Sequence, residues 1–391
     1  MGTGSLPQVA VFGAGAFGGW TALELVRRGA RVTLLDAWGP GNVRASSGGE
    51  TRIIRAIYGT RAIYTRMAAR ALELWRAHDA RFGRRFYRRT GVLWMMRDQE
   101  TFRVTSTDAL RSAGVALEEL SIASARQRFP QIAFDDVSAV LLERDGGYLL
   151  ARRACEHVCE CVVAEGGEYR QAAAASPVRV DSSALRKIRL LDGQAVEADV
   201  FVFACGPWLG ELFPDVVGSF MTPTRQEVYY FGTPPGDTRF GEERLPAWID
   251  VAERVRYGIP GNVNRGFKIA DDTPGPAFDP THGERQTASE SATSARSFIA
   301  RRFPALARAP LVDAEVCQYE STPDAHFIVD RHPVAENVWI AGGGSGHGYK
   351  MGPAIGELVA SLVLGSETPP PAFSLARFAS APAGGWQPKW S

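Results

Sequence analysis

The sequence predicts an α/β fold: a discontinuous Rossmann-like domain that holds a dinucleotide, joined to a substrate domain with a mixed or antiparallel sheet and flanking helices. Three observations predict it. The chain opens on an apolar strand that runs into a glycine turn, a helix, a second strand and an acid. Two later blocks, 146–218 and 318–370, return to strand-and-glycine steps of the same kind. The intervening blocks, 87–145 and 219–317, instead carry short alternating strands rich in Pro, Gly and aromatic residues.

Val9-Ala-Val-Phe reads as the opening strand, and Gly13-Ala-Gly15-Ala-Phe-Gly18 as the turn into a helix from Gly19 to Arg28. The glycines permit a tight turn, close approach of backbone to a pyrophosphate and close helix packing, while the helix N-terminus favours negative charge. Arg31-Val-Thr-Leu-Leu35 is the next strand and ends at Asp36, placed to accept from a ribose hydroxyl. This fingerprint does not separate FAD from NAD. A basic helix from Tyr64 to Phe82 completes the block 1–86. In 87–145 the strands Gly91-Val-Leu-Trp-Met and Ala139-Val-Leu-Leu-Glu flank a polar helical piece, as in an inserted subdomain. A helix from Ala151 to Glu165 follows, then a charged hairpin and a buried strand from Ala198 to Gly206-Pro-Trp208, a strand-glycine step suited to the adenine end of the cofactor. Strands at Glu227–Gly232, Arg256–Pro260 and Gly266–Ala270 and a helix over Ser289–Arg302 suit an antiparallel sheet above that cofactor. The tail, 371–391, is expected to be loosely ordered.

The C-terminal part decides the cofactor. Cys317-Gln-Tyr319-Glu-Ser-Thr is followed by Ile340-Ala-Gly-Gly-Gly-Ser-Gly-His347-Gly-Tyr-Lys350. A thiol, a glycine-rich turn and a lysine behind a dinucleotide fingerprint describe FAD held from both ends.

Composition excludes several classes. A net charge of +1, with 45% hydrophobic and 22% charged residues, gives no footing for nucleic acid or an acidic membrane surface. No apolar run approaches the length of a membrane span, and Met1 to Gln8 lacks the features of a signal peptide, so a cytoplasmic enzyme with reduced cysteines is expected. Of 44 Lys plus Arg, only Lys187, Lys268, Lys350 and Lys389 are lysines, so each lysine invites a reason. Cys155, His157, Cys159 and Cys161 resemble a metal cluster, but Cys155 and Cys159 share a helical stripe with Val158 and Val162, and four ligands do not converge at that spacing. Core packing, and no metal, is the expectation.

At this point a resemblance is visible. Thr51-Arg52-Ile-Ile-Arg55, Gly266-Phe-Lys268, Cys317-Gln-Tyr319, Asp324-Ala-His-Phe-Ile-Val-Asp330-Arg-His-Pro and Ser345-Gly-His347-Gly-Tyr-Lys350 resemble the monomeric sarcosine oxidase family, over roughly residues 8 to 376. The resemblance implies FAD linked covalently to a cysteine sulfur and oxidation of an amino acid's secondary amine to an imine, with O2 as acceptor and H2O2 as product. It implies a small amino-acid-like substrate, and we expect a monomer.

Carried onto this chain, Cys317 is the flavin-linking cysteine; a buried inert thiol is the ordinary alternative. Lys268 and Arg52 are placed near the reacting part of the flavin, where a fixed cation at about 4 Å favours developing negative charge by about 4 kcal/mol at an effective dielectric near 20. Arg55 and Lys350 form the clamp for the substrate carboxylate, although Arg55 alone reads equally as one of many surface arginines. His347 falls near the substrate, with a histidine satisfied by backbone as the alternative. Tyr257 and Tyr319 are pocket walls. The cofactor set is Gly13, Gly15, Ala16, Phe17, Gly18, Asp36, Ser47, Thr51, Arg52, Gly206, Trp208, Cys317, Gly343, Gly344, Gly346, His347, Gly348 and Lys350.

Departures from the family reshape the expected pocket. Gly48 and Asp272 stand where histidines are usual, Gly344 replaces an aromatic residue, and Trp248 replaces a smaller apolar one. The expectation is extra room beside Gly344 and an added indole from Trp248, which suits a larger or cyclic secondary amine better than sarcosine. The competing readings are a flavin dehydrogenase, a natural-product tailoring oxidase and a non-catalytic flavin-binding module.

Overall fold

A computed structural model describes residues 6–97 and 99–379. Most of the expected C-terminal tail lies outside them; its described start forms two short helical turns, Pro371–Phe373 and Leu375–Ala379. Among the described residues no helix is long and apolar enough to cross a membrane.

The opening strand Gln8–Phe12 is apolar on both faces because both faces are covered. It lies inside a sheet of six strands in the order Ile328–Arg331, Val338–Gly342, Val200–Phe203, Gln8–Phe12, Arg31–Asp36, Glu168–Gln171. All pairs are parallel except the first, which is antiparallel. One core, holding Val9, Val11, Leu23 and Ile355, lies between this sheet and the helices Ala16–Arg27, Ala151–Ala164 and Gly352–Val363. A second core, holding Ala10, Phe12, Phe201 and Phe203, fills the opposite face.

The other layer is an eight-stranded sheet ordered Leu311–Ser321, Thr222–Phe231, Phe267–Asp271, Arg256–Ile259, Ala247–Val251, Val92–Met96, Ala139–Glu143, Leu117–Leu120. The inserted block and the later block therefore build one sheet, and the expected boundary at 317/318 falls inside the strand Leu311–Ser321. A small antiparallel sheet, Thr51–Ile54 with Gly147–Leu150 and Tyr87–Arg88, stands between the two layers. Arg302, at the end of the helix Ser289–Arg302, ties that helix to the large sheet: it is 1% exposed and reaches Asp250 at 2.8 Å and Asp136 at 2.7 Å.

Register decides what each face of the large sheet carries, because successive side chains alternate. Ile249 pairs with Tyr257 and Tyr257 with Ala270, which pairs with Val228. Two steps along, Tyr230 pairs with Lys268, and on the edge strand Gln226 pairs with Cys317 and Thr224 with Tyr319. Thus Tyr257, Lys268, Cys317 and Tyr319 share one face. The alternate row, Trp248–Gly258–Ile269–Tyr229, faces the opposite side.

Trp248, expected as a pocket wall, is therefore a core residue. It is 0% exposed and packs at 5.0 Å from Phe303, 5.7 Å from Phe298 and 5.9 Å from Phe267. Its indole covers Gly258, where an added Cβ would meet it at 2.3 Å. Among the described residues its Nε1 has no hydrogen-bond partner. Trp248→Ala is accordingly expected to cost about 3–5 kcal/mol in urea unfolding, while Trp248→Phe, which removes the orphaned N–H, costs far less. A changed substrate preference in Trp248→Phe at unaltered stability contradicts this placement.

Candidate active site

A cavity of ≈ 350 Å³ runs between the two layers, within the size range of cofactor and ligand sites. One end is the strand-turn-helix at Gly13–Phe17. Gly13 has φ +100°, and an added Cβ would lie 2.3 Å from the Ala204 carbonyl, so only glycine lets the two strand ends approach. The helix Ala16–Arg27 has no acid in its first turn and no capping side chain at Gly15. Its Ala16 N–H donates to Ser47 Oγ at 3.1 Å. Gly18 does not line the cavity; it packs against the Gly13 carbonyl and keeps helix and strand close. Asp36 lines the cavity and accepts from the N–H groups of Ala14, Trp38 and Gly39 at 2.8–2.9 Å. Burial pushes its carboxyl up, and those three N–H groups oppose the shift. Gly206 and Trp208 line the same end, with Trp38 tilted over Trp208 at 4.7 Å.

The other end is rich in buried cations. Arg55 is 3% and Lys350 4% exposed, and both line the cavity. They flank one aromatic ring: the Arg55 guanidinium carbon is 4.0 Å and the Lys350 Nζ 5.3 Å from the Tyr58 centroid. Arg55 Nη1 donates to the Ile57 carbonyl at 2.5 Å, and Lys350 Nζ to the His347 carbonyl at 2.8 Å. Burial lowers the Arg55 pKa; Tyr58, Glu143 and Asp272 oppose the shift. Glu143 is fully buried and accepts from Ala56 N at 2.6 Å, Ile57 N at 3.3 Å and Trp94 Nε1 at 2.7 Å, which fixes the loop that carries Arg55. Sequence reasoning missed Glu143, although an acid closing an all-apolar strand was the available signal.

Arg52 lines the cavity, and its Nη2 lies 3.2 Å from Cys317 Sγ. Burial works against its charge, but Cys317 and the tyrosines 257, 319 and 230 more than offset this and hold its pKa above the usual range. Cys317 itself is half-buried and stands behind that wall. Tyr257 and Tyr319 both line the cavity, with hydroxyls 3.4 Å apart, and Tyr319 donates to Asp272 at 3.1 Å.

Several expected positions are corrected. Lys268 is 2% exposed and does not line the cavity; its Nζ donates to the Thr51 carbonyl at 2.8 Å and lies 3.3 Å from Thr51 Oγ1. Thr51 likewise stands behind the wall, as Lys268's partner. Burial, reinforced by Arg52, pulls the Lys268 pKa down to about 7. His347 lines the cavity, but its Nε2 lies 3.0 Å from the Ala325 carbonyl and must donate, so Nδ1 accepts from Tyr58 at 3.2 Å. A ring bonded at both nitrogens holds the turn and Tyr58 in place and is not a free acid or base. Gly344, Gly346 and Gly348 line the cavity, whereas Gly343, with φ +68°, packs against Thr322. The room expected beside Gly344 is filled by Glu320, whose Oε1 lies 2.8 Å from where a Cβ would be. Glu320 also accepts from Ser46 Oγ at 2.6 Å, and burial pushes its carboxyl up. Gly48 has no room for a side chain, because an added Cβ would meet the Asn42 carbonyl at 1.8 Å.

Three comparisons bear on the arrangement. A family model described as FAD dependent oxidoreductase matches residues 8–362. Monomeric sarcosine oxidase of Streptomyces avermitilis is 30% identical, over 96% of this chain and 99% of that protein. N-methyl-L-tryptophan oxidase of Yersinia pestis is 27% identical, over 94% and 98%. Among solved structures, L-proline dehydrogenase from P. horikoshii superposes with a TM-score of 0.84 at 20% identity, over 96% of this chain and 98% of that one, which shows a common fold.

Proposed function

The chain belongs to the FAD dependent oxidoreductase family, and from that premise we propose that it oxidises a secondary amine, an N-alkyl or cyclic amino acid, to the imine and reduces O2 to H2O2. The observation that carries this reading is the pair Arg55 and Lys350, both buried, both on the cavity wall and both against the Tyr58 ring. Two buried cations on one cavity wall call for an anion, and an amino-acid carboxylate supplies it while leaving its amine free.

The residues fit FAD. The helix terminus at Gly15–Phe17 suits the pyrophosphate, Asp36 the ribose, and the turn Gly344–Gly348 the polar edge of the ring system. Cys317 is the proposed point of covalent attachment, with the Arg52 guanidinium 3.2 Å from its sulfur. When bound, FAD supplies the acceptor of a hydride from the carbon next to the amine and the donor of two electrons to O2. The chain's own groups then orient and desolvate. Arg55 and Lys350 fix the carboxylate, Tyr257, Tyr319 and Ile249 enclose the carbon skeleton, and the cation-lined, buried setting favours the unprotonated amine. No free general base is required, which agrees with a His347 engaged at both nitrogens.

A second reading, a flavin dehydrogenase that passes electrons to another acceptor, is favoured by Lys268, which faces Thr51 instead of the cavity. Measurement separates the two. With N-alkyl and cyclic amino acids under anaerobic conditions, the flavin absorbance should bleach, and air should restore it with H2O2 release; matching amines without the carboxylate should bleach it poorly. Bleaching without recovery in air supports the dehydrogenase.

In the oxidase reading Lys268, although held on the Thr51 carbonyl behind the cavity wall, is assigned as the cation that favours electron transfer to O2, and this predicts a pH dependence. Its lowered pKa means that the cation is present below about pH 7 and is lost as pH rises through that value. Recovery in air should therefore slow as pH rises, and Lys268→Met should be slow and flat across it, with about tenfold lost per 1.4 kcal/mol. A wild-type profile that rises with pH would sink the assignment.

For Cys317, acid precipitation should leave a yellow pellet, with the flavin mass on the Cys317 peptide. Release of all flavin to the supernatant contradicts the linkage while leaving FAD binding intact.

A further inference from the structure

Away from the cavity, the helices Ala16–Arg27, Ala62–Phe82 and Ala151–Ala164 meet around His78. His157 and Cys161 are spaced i, i+4 on the last of these and so share a face, while His78 comes from the facing helix. The sequence offered only the residues of a single helix, and Cys155, which turns toward the Tyr349 hydroxyl at 3.8 Å, is not part of this group.

The three residues are 4%, 8% and 3% exposed. Cys161 Sγ lies 3.5 Å from His157 Nε2, the His78 and His157 rings are 5.3 Å apart, and one donor atom from each residue lies within 4.8 Å of the others. Ligands bound to one ion at 2.0–2.3 Å sit about 3.4–3.8 Å apart, so closure needs a movement of about 1 Å, within the reach of side-chain rotation. Glu160 Oε2 lies 3.3 Å from His157 Nδ1. A proton on Nδ1, held by that carboxylate, leaves the Nε2 lone pair facing Cys161, as in carboxylate–histidine–metal arrangements.

His78 provides the independent observation. Among the described residues neither of its ring nitrogens has a hydrogen-bond partner, and its ring is walled by Trp20 at 4.8 Å and Phe82 at 4.8 Å. A buried polar atom left without a partner destabilises the fold. A buried lone pair that no protein group meets among the described residues is available to a metal.

We propose that His78, His157 and Cys161 bind a d10 transition-metal ion, zinc(II) or copper(I), with the Cys161 thiol proton released to solvent as the sulfur–metal bond forms. Two imidazoles and a thiolate with no oxygen ligand form a donor set for those ions and not for magnesium or calcium. Because the ion would join the Ala62–Phe82 and Ala151–Ala164 helices, its role is to fasten them.

The test uses the full-length, tag-free flavoprotein, stripped with a chelator and reloaded with zinc chloride or, anaerobically, with a copper(I) salt. One equivalent should survive gel filtration and raise Tm by a few degrees, as binding to the native state requires. Retention should fall at least tenfold in Cys161→Ala and in His78→Phe, which keeps an aromatic ring in the cage, and should be unchanged in Cys159→Ala. Retention in the zinc arm alone or the copper arm alone identifies the ion. Substoichiometric binding with no Tm change, or equal retention in wild type and both variants, overturns the proposal.

Discussion

Buried positive charge is the constraint on which the rest of this structure depends. Arg52, Arg55, Lys268 and Lys350 converge on one region, and the last three are 2–4% exposed. Removing such ions from water costs several kcal/mol each unless their donors are met. The chain meets them mainly with backbone: the carbonyls of Thr51, Ile57 and His347 accept from Lys268, Arg55 and Lys350. The Tyr58 ring face and the carboxylates of Glu143 and Asp272 supply further compensation. These acceptors sit on the small sheet strand Thr51–Ile54, the loop after it and the glycine turn, so the three segments must stay in register for the cavity to exist. The carbonyls are dipoles and do not cancel the charges of Arg52, Arg55 and Lys350 on the cavity wall, which suits an anionic substrate group and an electron-accepting cofactor.

Much of this was legible in the sequence. The strand, glycine turn, helix and acid from Val9 to Asp36 fold as the pattern implies, because each feature is local: a short continuous apolar run, a turn that needs φ > 0 at Gly13, and a helix that starts without an acid. Arg55, Lys350, Tyr257 and Tyr319 reach one cavity from segments nearly 300 residues apart, and only the family resemblance could have grouped them.

What was not legible depended on register and on neighbours far along the chain. Trp248 and Ile249 are adjacent on one strand, and which faces the cavity follows from the pairing of Trp248 with Gly258 and of Ile249 with Tyr257, which no local pattern encodes. Gly344 reads as open space until Glu320 is found beside it. Lys268 lies on the expected face, but the Thr51 carbonyl draws its ammonium behind the wall. In each case the residue type was informative and its direction was set by a partner from another element.

The most direct test of the central claim is the affinity for a simple unreactive carboxylate such as propionate, read from the flavin absorbance of wild type, Arg55→Met and Lys350→Met. The account predicts that either truncation weakens carboxylate binding by about 2–5 kcal/mol, with every 1.4 kcal/mol a factor of about ten in Kd, and leaves binding of the corresponding carboxylate-free amine nearly unchanged. Equal carboxylate affinity in all three proteins would contradict it, because the two buried cations would then serve the fold and not the substrate.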